Sequence, residues 1–338
     1  MKLISLFSGA GGLDLGFEKA GFSTVFANEY DKNIWATFRA NFPQAHLDTR
    51  SIVQIPDSDL PKVDGLIGGP PCQSWSEAGS HRGIHDQRGQ LFFEYIRVLK
   101  HVQPKFFLAE NVSGILSARH RGAFETILEQ FRSLGYNVAH KMLRASDFGV
   151  PQDRDRVIIV GIREDLSCGF EFPDPLGAAP TLREAIGKMP KPKANNSRSA
   201  RVDHPSLANH EYLVDDFSSM YMSRNRVRSW DERSFTIQAG ARHAPIHPSA
   251  PRMEKVSDDK FRFILEQEFK YRRMSVRECA RIQTFPDTHA FCYGRIIDGY
   301  KMVGNAVPVE LAYHLARQIQ TALHSSKKRP TSRRPRKY

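Results

Sequence analysis

Val63-Asp64-Gly65-Leu66-Ile67-Gly68-Gly69-Pro70-Pro71-Cys72-Gln73-Ser74 is the stretch from which the rest of the chain is read. Residues Val63 to Ile67 form a short apolar run of the kind that makes a buried strand. Two glycines then allow close approach of backbone or ligand, and two prolines stiffen the turn. Cys72 therefore falls just past the carboxyl end of a strand, where open α/β sheets hold their ligands. Burial as a structural thiol is the ordinary fate of a free cysteine, but a Gly-Gly-Pro-Pro turn is a poor place to bury a small hydrophobe. The position suits a nucleophile.

Around that turn, the first 165 residues alternate apolar runs with helical patterns, which predicts an α/β fold with a doubly wound, mostly parallel, Rossmann-like sheet. Strands are expected at Leu3–Phe7, Thr24–Asn28, Gly65–Ile67, Phe106–Ala109, Tyr136–Leu143 and Val157–Ile162. Helices are expected at Leu13–Ala20, Lys32–Asn41, Gln90–Lys100 and Ala123–Leu134, the last stopped by Gly135. From Asp174 the texture changes. Pro173, Pro175, Pro180, Pro190 and Pro192 punctuate it, and Lys191–Ala200 reads as a loop. The expected organisation is one domain over 1–173, a smaller irregular one over 174–276, a return to the first over 277–324, and a basic disordered tail over 325–338. The returning segment should hold a helix in Ser275–Gln283, a turn at Thr284-Phe285-Pro286, and a last helix from Pro308 to about Leu323.

The net charge of +12 is unevenly placed. Residues 1–173 carry 19 basic and 20 acidic side chains, whereas 174–275 carry 18 and 13, and the tail from Ser325 carries seven basic residues and no acid. A polyanion partner for the middle segment follows; the tail reads as a solvated extension that adds non-specific attraction to phosphate. No apolar run approaches the roughly 20 residues that cross a bilayer. Met1–Phe7 reads as a first strand, not a signal peptide. Cys72, Cys168, Cys279 and Cys292 form no C-x-x-C pair and no zinc spacing, which points to a reducing, cytosolic setting and no metal.

The first strand runs into Phe7-Ser8-Gly9-Ala10-Gly11-Gly12-Leu13-Asp14, a nucleotide-binding type of loop. The G-x-G-x-x-G fingerprint fails because Asp14 stands at its third glycine. A helix start that cradles pyrophosphate would not welcome that acid, which argues against a nicotinamide cofactor. A cofactor with a ribose and no phosphate fits better. Glu29, twenty residues after Gly9, can accept both ribose hydroxyls, and Asp48 can receive an adenine amino group. S-adenosylmethionine has this make-up; Glu29 as a plain surface carboxylate is the competing reading.

Glu110-Asn111-Val112 follows the apolar run Phe106–Ala109, so Glu110 also emerges at a strand's carboxyl end. A carboxyl flanked by apolar chain suits a proton donor near neutrality. Gln152, Arg154 and Arg156 would share one face of an extended segment. A surface ladder paired with Asp153 and Asp155 is the alternative.

Together these pieces resemble the bacterial DNA (cytosine-5)-methyltransferases, from the first strand to Leu323. The shared motifs are the Phe-x-Gly-x-Gly loop, Pro-Pro-Cys-Gln, Glu-Asn-Val, Gln-x-Arg-x-Arg, Arg277-Glu278-x-x-Arg281-Ile282-Gln283-x-Phe285-Pro286 and Gly304-Asn305-Ala306-Val307-Pro308, in that order. The resemblance implies S-adenosyl-L-methionine held by Phe7, Gly9, Gly11, Gly12, Leu13, Glu29, Tyr30, Asp48, Thr49, Pro70, Asn305 and Ala306. It makes 1–173 the cofactor-binding catalytic domain and 174–276 the target-recognition domain. Cys72 would attack C6 of a cytosine flipped out of double-stranded DNA, making C5 nucleophilic. Glu110 would hydrogen-bond or protonate N3, and Arg154, with Arg156 beside it, would hold the base carbonyl and keep Cys72 anionic. Glu77–Gln90 would close over the base as a lid.

Ser74, Arg82, Gln152, Arg224, Arg226, Arg228 and Arg242 are the expected DNA contacts. Three of these arginines lie at period two in Met222–Trp230, which on a strand would face one way, suiting guanine O6 and N7. The region is similar to that of enzymes that modify the inner cytosine of GGCC, in which positions matching Arg224, Arg226 and Arg242 approach guanines. Ala241-Arg242-His243-Ala244 departs from their pattern. The resemblance further implies a bacterial, cytoplasmic monomer without membrane contact. It would protect DNA in a restriction–modification system, with a cognate endonuclease acting on the same site without forming a complex. An RNA cytosine-5 methyltransferase, or an orphan DNA enzyme with another target, is the alternative; the arginine-bearing insertion over 174–276 argues for a duplex reader.

Overall fold

The computed structural model describes residues 1–71 and 87–326. Cys72, Ser74, Arg82 and the part of the expected lid before Gln87 lie outside the described residues, as does the tail from residue 327. Seven strands make the central sheet: β1 (Lys2–Leu6), β2 (Ser23–Asn28), β3 (His46–Asp48), β4 (Gly65–Gly68), β5 (Phe106–Val112), β6 (Tyr136–Arg144) and β7 (Asp155–Arg163). Their order is β3-β2-β1-β4-β5-β7-β6. The first five are parallel, and β7 runs antiparallel between β5 and β6. The chain leaves β1 in one direction along the sheet and returns through β4 in the other. That reversal opens a crevice at the carboxyl ends of β1 and β4.

Successive residues of the central strands point to opposite faces, and the core divides accordingly. Ile4, Leu66 and Phe107 pack with Tyr95, Leu99, Ile127 and Phe131 on one face. Leu3, Ile67, Phe106 and Leu108 pack with Phe17, Leu311, Leu315 and Ile319 on the other. The second face brings the helices Gly12–Lys19 and Val309–Ser326 together. Their contact is close at Gly16, where a Cβ would overlap Ala312 Cβ.

Several elements differ from the sequence expectation. β5 continues to Val112 because β7 offers it a full ladder partner through Arg156. Residues 87–90 begin the helix Gln87–Val102 and are not the end of a loop. The helix expected from Lys32 starts only at Trp35, and the helix Ile296–Asn305 had no counterpart in the reading. The last helix runs on through Ser326, into the expected tail.

The region after Pro173 is sparsely ordered by ladders. β8 (Lys193–Asn195) pairs with β9 (Glu211–Leu213), within a stretch read as loop, and β10 (Glu254–Ser257) pairs with β11 (Lys260–Arg262). The arginine strand over Met222–Trp230 does not form. Tyr221–Ser223 is a 3-10 turn, and Val227 makes a single bridge to Ile246. Tyr221, Val227, Ile246, Ala250, Met253 and Tyr271 form a small local core. Leu182, Leu213, Ile237 and Ala241 instead pack with Val276, Ile282, Phe285, Tyr300 and Val303 of the returning segment.

The glycines give a direct test of this packing. Gly16→Ala forces a methyl into the contact with Ala312 and Val309, and overpacking of this kind costs about 1–3 kcal/mol. Gly122, in the helix Arg121–Ser133, has open space where a Cβ would stand; Gly122→Ala should stabilise by about 0.5–1 kcal/mol. Urea denaturation should therefore move the two midpoints in opposite directions. An unchanged midpoint for Gly16→Ala would contradict the interhelical contact.

Candidate active site

β4 stops at Gly68, opposite Ala109 of β5, so the next residues of β5 overhang the Gly-Gly-Pro-Pro turn. A Cβ on Gly69 would stand 3.1 Å from Glu110 Oε2. Asn111 Nδ2 donates to the Pro70 carbonyl at 3.0 Å. The turn that leads into Cys72 is thus fixed from β5, and glycine at 69 lets the Glu110 carboxylate lie over it. Asn111, within the quoted Glu-Asn-Val motif, was not singled out; its buried amide is the contact the sequence reading missed.

Arg156 lies diagonally across the β5–β7 ladder from Glu110, on the same face. Its Nε donates to Glu110 Oε1 at 2.7 Å, and both side chains are largely buried. The surroundings expected for Glu110 are corrected here: its carboxylate meets a guanidinium, not apolar chain alone.

Arg154 and Gln152 are also corrected. Arg154 is 1% exposed, and its guanidinium faces backbone, not a ligand. Nη1 donates to the Ile237 carbonyl at 2.9 Å; Nη2 donates to the carbonyls of Gly304 at 2.9 Å and Ala306 at 3.0 Å. Burial, with the like charge of Arg156, lowers its pKa to about 9, so it stays charged at neutral pH. Gln152 is fully buried. Its Oε1 accepts from the Ile237 N–H at 2.7 Å, and its Nε2 donates to Gln283 Oε1 at 2.8 Å. Neither side chain is presented to DNA or to a base. An extended segment does put 152, 154 and 156 on one side, but only Arg156 reaches Glu110.

At the carboxyl ends of β1 and β2, Phe7 takes a left-handed conformation (φ 54°), as do Gly9 and Gly11. For a phenylalanine this is strained. A Cβ on Gly11 would run into the Phe42 ring, and one on Gly12 would overlap the Val307 carbonyl and approach Ala306 Cβ to 3.3 Å. That contact draws Asn305 (exposed) and Ala306 (buried) to the loop. Glu29 Oε2 accepts from the Gly9 N–H at 2.9 Å, and Oε1 from the Asp31 N–H at 2.8 Å. Burial raises its pKa, against these two donors. Leu13 and Pro70 are buried beside the same crevice, Thr49 is half-buried, and Tyr30 is 72% exposed.

Asp48 stands apart from its expected role. Arg50 donates from Nε to both carboxylate oxygens at 3.1 Å and from Nη2 to Oδ2 at 2.6 Å. This pairing holds Asp48 below the usual carboxylate range, and an adenine amino group would have to share those oxygens.

Asp14 does not stand where a bound phosphate would meet it. Its carboxyl is fully buried under the helix start and does not face the crevice. Thr24 Oγ1 donates to Oδ1 at 3.0 Å, while Oδ2 has no hydrogen-bond partner among the described residues. Burial pushes its pKa up to about 7, despite the nearby Ser5 and Thr24 hydroxyls. Asp14 therefore does not discriminate against phosphate by facing it.

A second cleft opens beside the first residues of β7. Asp153, Arg224, Arg226, Phe235, Thr236, Gln238, His243 and Pro245 line it. Arg224 is exposed. Arg226 stacks on Tyr221 and donates to the Tyr221 and Met220 carbonyls. Arg228, expected alongside, is held away by Asp153 and Glu232, each 3.2 Å from its guanidinium. Arg242 is exposed, with Asp215 at 3.9 Å, and is not part of the lining. Gln238 and His243 were not singled out in the sequence; they fall in stretches quoted for their arginines. Among the described residues, no cluster of three His, Cys, Asp or Glu could hold a metal, and no helix is long and apolar enough to cross a membrane.

The chain is similar to known proteins over nearly its whole length. The family model described as C-5 cytosine-specific DNA methylase matches residues 1–321. The chain is 53% identical over 334 residues to the Type II methyltransferase M.FnuDI of Fusobacterium nucleatum, covering 97% of this chain and 96% of that protein. It is 55% identical over 324 residues to the Type II methyltransferase M.MthTI of Methanothermobacter thermautotrophicus, covering 96% and 98%. Among solved structures, DNMT2 of Spodoptera frugiperda superposes with a TM-score of 0.70 at 19% identity, covering 96% of this chain and 99% of that one; at that identity the likeness concerns the fold alone.

Asp14 yields a pH test. Its folded value, about 7, lies above the ordinary 3.8, so between these values the folded chain binds the extra proton. The stability this group contributes is complete below pH 3.8 and is lost as the pH rises through about 7. Asp14→Asn keeps the Oδ1 acceptor for Thr24 and abolishes the titration. Its unfolding free energy should gain on that of wild type between about pH 4 and pH 7, then run parallel. A difference that does not change with pH would show that folding leaves the Asp14 carboxyl at its ordinary pKa.

Proposed function

The chain belongs to the C-5 cytosine-specific DNA methylase family and is a DNA cytosine-5-methyltransferase, and from that premise we propose how its own residues do the work. The observation that carries the proposal is the Glu110–Arg156 pair lying over Gly69, three residues before Cys72. Cys72 is the nucleophile: its thiolate bonds to C6 of a flipped cytosine, the C5–C6 π pair shifts to C4–C5 and the C4–N3 π pair onto N3, which leaves C5 enamine-like. Glu110 protonates or hydrogen-bonds N3 and so stabilises the charge the ring gains. Arg156 orients Glu110 and holds the base carbonyl, the role the sequence reading gave to Arg154. Loss of the C5 proton and of the Cys72 sulfur restores the aromatic ring.

S-adenosylmethionine fits the crevice at β1, β2 and β4, and supplies an electrophilic methyl group for C5. The fit rests on the chain's own cradle, the strained Phe7 and the glycines at 11 and 12, whose missing Cβ atoms leave room against Phe42 and Val307. Glu29, set by the Gly9 and Asp31 amides, would take the ribose hydroxyls, with Phe7, Gly9, Leu13, Tyr30, Thr49, Pro70, Asn305 and Ala306 around the rest. The proposed domains are those of the sequence reading, with residues 174–276 selecting the DNA site.

The proposed target is the inner cytosine of GGCC. The likeness of the recognition region supports it, as does a cleft lined by Arg224, an exposed side chain suited to guanine O6 and N7, with Arg226 beside it. Protection of DNA against a cognate endonuclease is the proposed cellular role, in keeping with the relatives' designation as Type II methyltransferases.

Two experiments test these assignments. Wild type should form a bond stable to denaturant with DNA carrying 5-fluorocytosine, because fluorine blocks the final elimination. Cys72→Ser should form none while retaining S-adenosylmethionine binding; trapping by Cys72→Ser would remove Cys72 from the mechanism. The second is bisulfite mapping of a library of degenerate four-base sites. Wild type should favour GGCC, and Arg224→Ala should lose about 1–3 kcal/mol of discrimination at one guanine position. A common slowing of every site by Arg224→Ala would make that arginine a phosphate grip.

A further inference from the structure

The recognition strap Arg233–Gln238 runs beside Pro151–Arg154, and the contacts between them are backbone-directed and dense. The Ser234 N–H donates to the Pro151 carbonyl at 2.9 Å, and the Asp153 N–H donates back to the Ser234 carbonyl at 2.9 Å. Thr236 Oγ1 donates to the Asp153 carbonyl. Ile237 is then held by both of its backbone groups, its N–H by Gln152 and its carbonyl by Arg154. Residues on either side of Ile237, Thr236 and Gln238, line the second cleft. On the other side of the strap, Gly304 is pressed so close that a Cβ would overlap the backbone of Gln238 and Ala239. Arg154 also holds the Gly304 carbonyl.

From this geometry we infer that Gln152 and Arg154 are positioning residues that couple the sequence bound in the second cleft to the chemistry at Glu110. The inference rests on the proposed reading of that cleft as the site selector. Ile237 cannot shift without breaking hydrogen bonds to both side chains. Arg156, two residues beyond Arg154, opens the β7 ladder and holds Glu110. A DNA sequence that seats badly against Arg224, Arg226 and Gln238 displaces the strap, and the strain passes to Arg156. Misplacement of a catalytic group by about 1 Å slows a reaction by as much as about 100-fold. Discrimination therefore falls on the chemical step as well as on binding.

The coupling has a specific consequence for substitution. Arg154→Lys keeps the charge, but a single ammonium lacks the planar fork that reaches Ile237 on one side and Gly304 and Ala306 on the other. Gly304→Ala perturbs the same strap from its opposite side. Each variant is assayed as full-length protein on the degenerate-site library at saturating DNA, with S-adenosylmethionine affinity measured separately by calorimetry. The quantity read is the ratio of kcat on the wild type's preferred site to kcat on its one-base neighbours. This ratio is independent of how much of the variant is folded, so a purely structural role does not move it.

Both variants should lower the ratio by about tenfold, within the roughly 100-fold that a misplacement of about 1 Å can cost. Because Arg154 also holds the Gly304 and Ala306 carbonyls beside the cofactor crevice, S-adenosylmethionine is kept saturating for each variant, so that a change in its affinity does not enter the ratio. A ratio unchanged in either variant overturns the coupling, even where total activity falls. A wild type with no preferred site overturns the cleft reading and the coupling together, whereas a selective wild type with equally selective variants overturns the coupling alone.

Discussion

One buried guanidinium gathers three distant stretches of this chain. Arg154 binds the carbonyls of Ile237, Gly304 and Ala306, and so ties the entrance of β7 to the strap Arg233–Gln238 and to the segment that packs on the glycine loop after β1. Carbonyls left unpaired in such a place would be costly. A buried charge would be costlier still without them. Each therefore requires the other. Gln283 completes the junction, accepting from Gln152 and donating to the Val303 carbonyl at 2.9 Å.

The same device recurs on both sides of the boundary at residue 276. Arg277 donates to the Ala208, Pro286 and His289 carbonyls, and Arg273 to those of Asp215 and Asp216 while stacking on Phe217. Both are almost fully buried, and burial lowers the pKa of each. A region with short ladders and a small core of its own is thus held by arginines that staple loop backbone. Others are neutralised on the surface, such as Arg228 and Arg233 by Asp153 and Arg252 by Glu232. The positive excess of the middle segment is accordingly a poor count of groups free to meet a polyanion.

This explains which parts of the molecule were legible in the sequence. The sheet was, apart from the short edge strand β3, which had no counterpart among the expected strands, because apolar runs such as Phe106–Ala109 and Val157–Ile162 are buried on both faces and need no partner to be recognised. The loop after β1 and the carboxylate that ends β2 were, because a glycine pattern and a strand-end acid are local signals. The Gln-x-Arg-x-Arg motif was found but its division of labour was not. Arg154 and Arg156 have the same chemistry and the same side of an extended segment. Only contacts more than eighty residues away, to Ile237 and Gly304, separate a staple from a group facing Glu110. The arginine run at 224–228 failed for a related reason. Period two predicts a common face on a strand, but its pairing is limited to one bridge, at Val227.

The hydrogen bonds from Gln152 and Arg154 to Ile237 join the strap Arg233–Gln238 and β7 into one cooperative unit. Amide hydrogen exchange at Ile237, read by NMR under native conditions, tests it most directly. Ile237 donates its N–H to a fully buried side chain, so it should exchange with the protection of the amides of Ile158 and Val160 in β7, and through the same opening event. Exchange of Ile237 as fast as that of an exposed loop amide, with β7 still protected, would show that the strap opens independently and would contradict the claim.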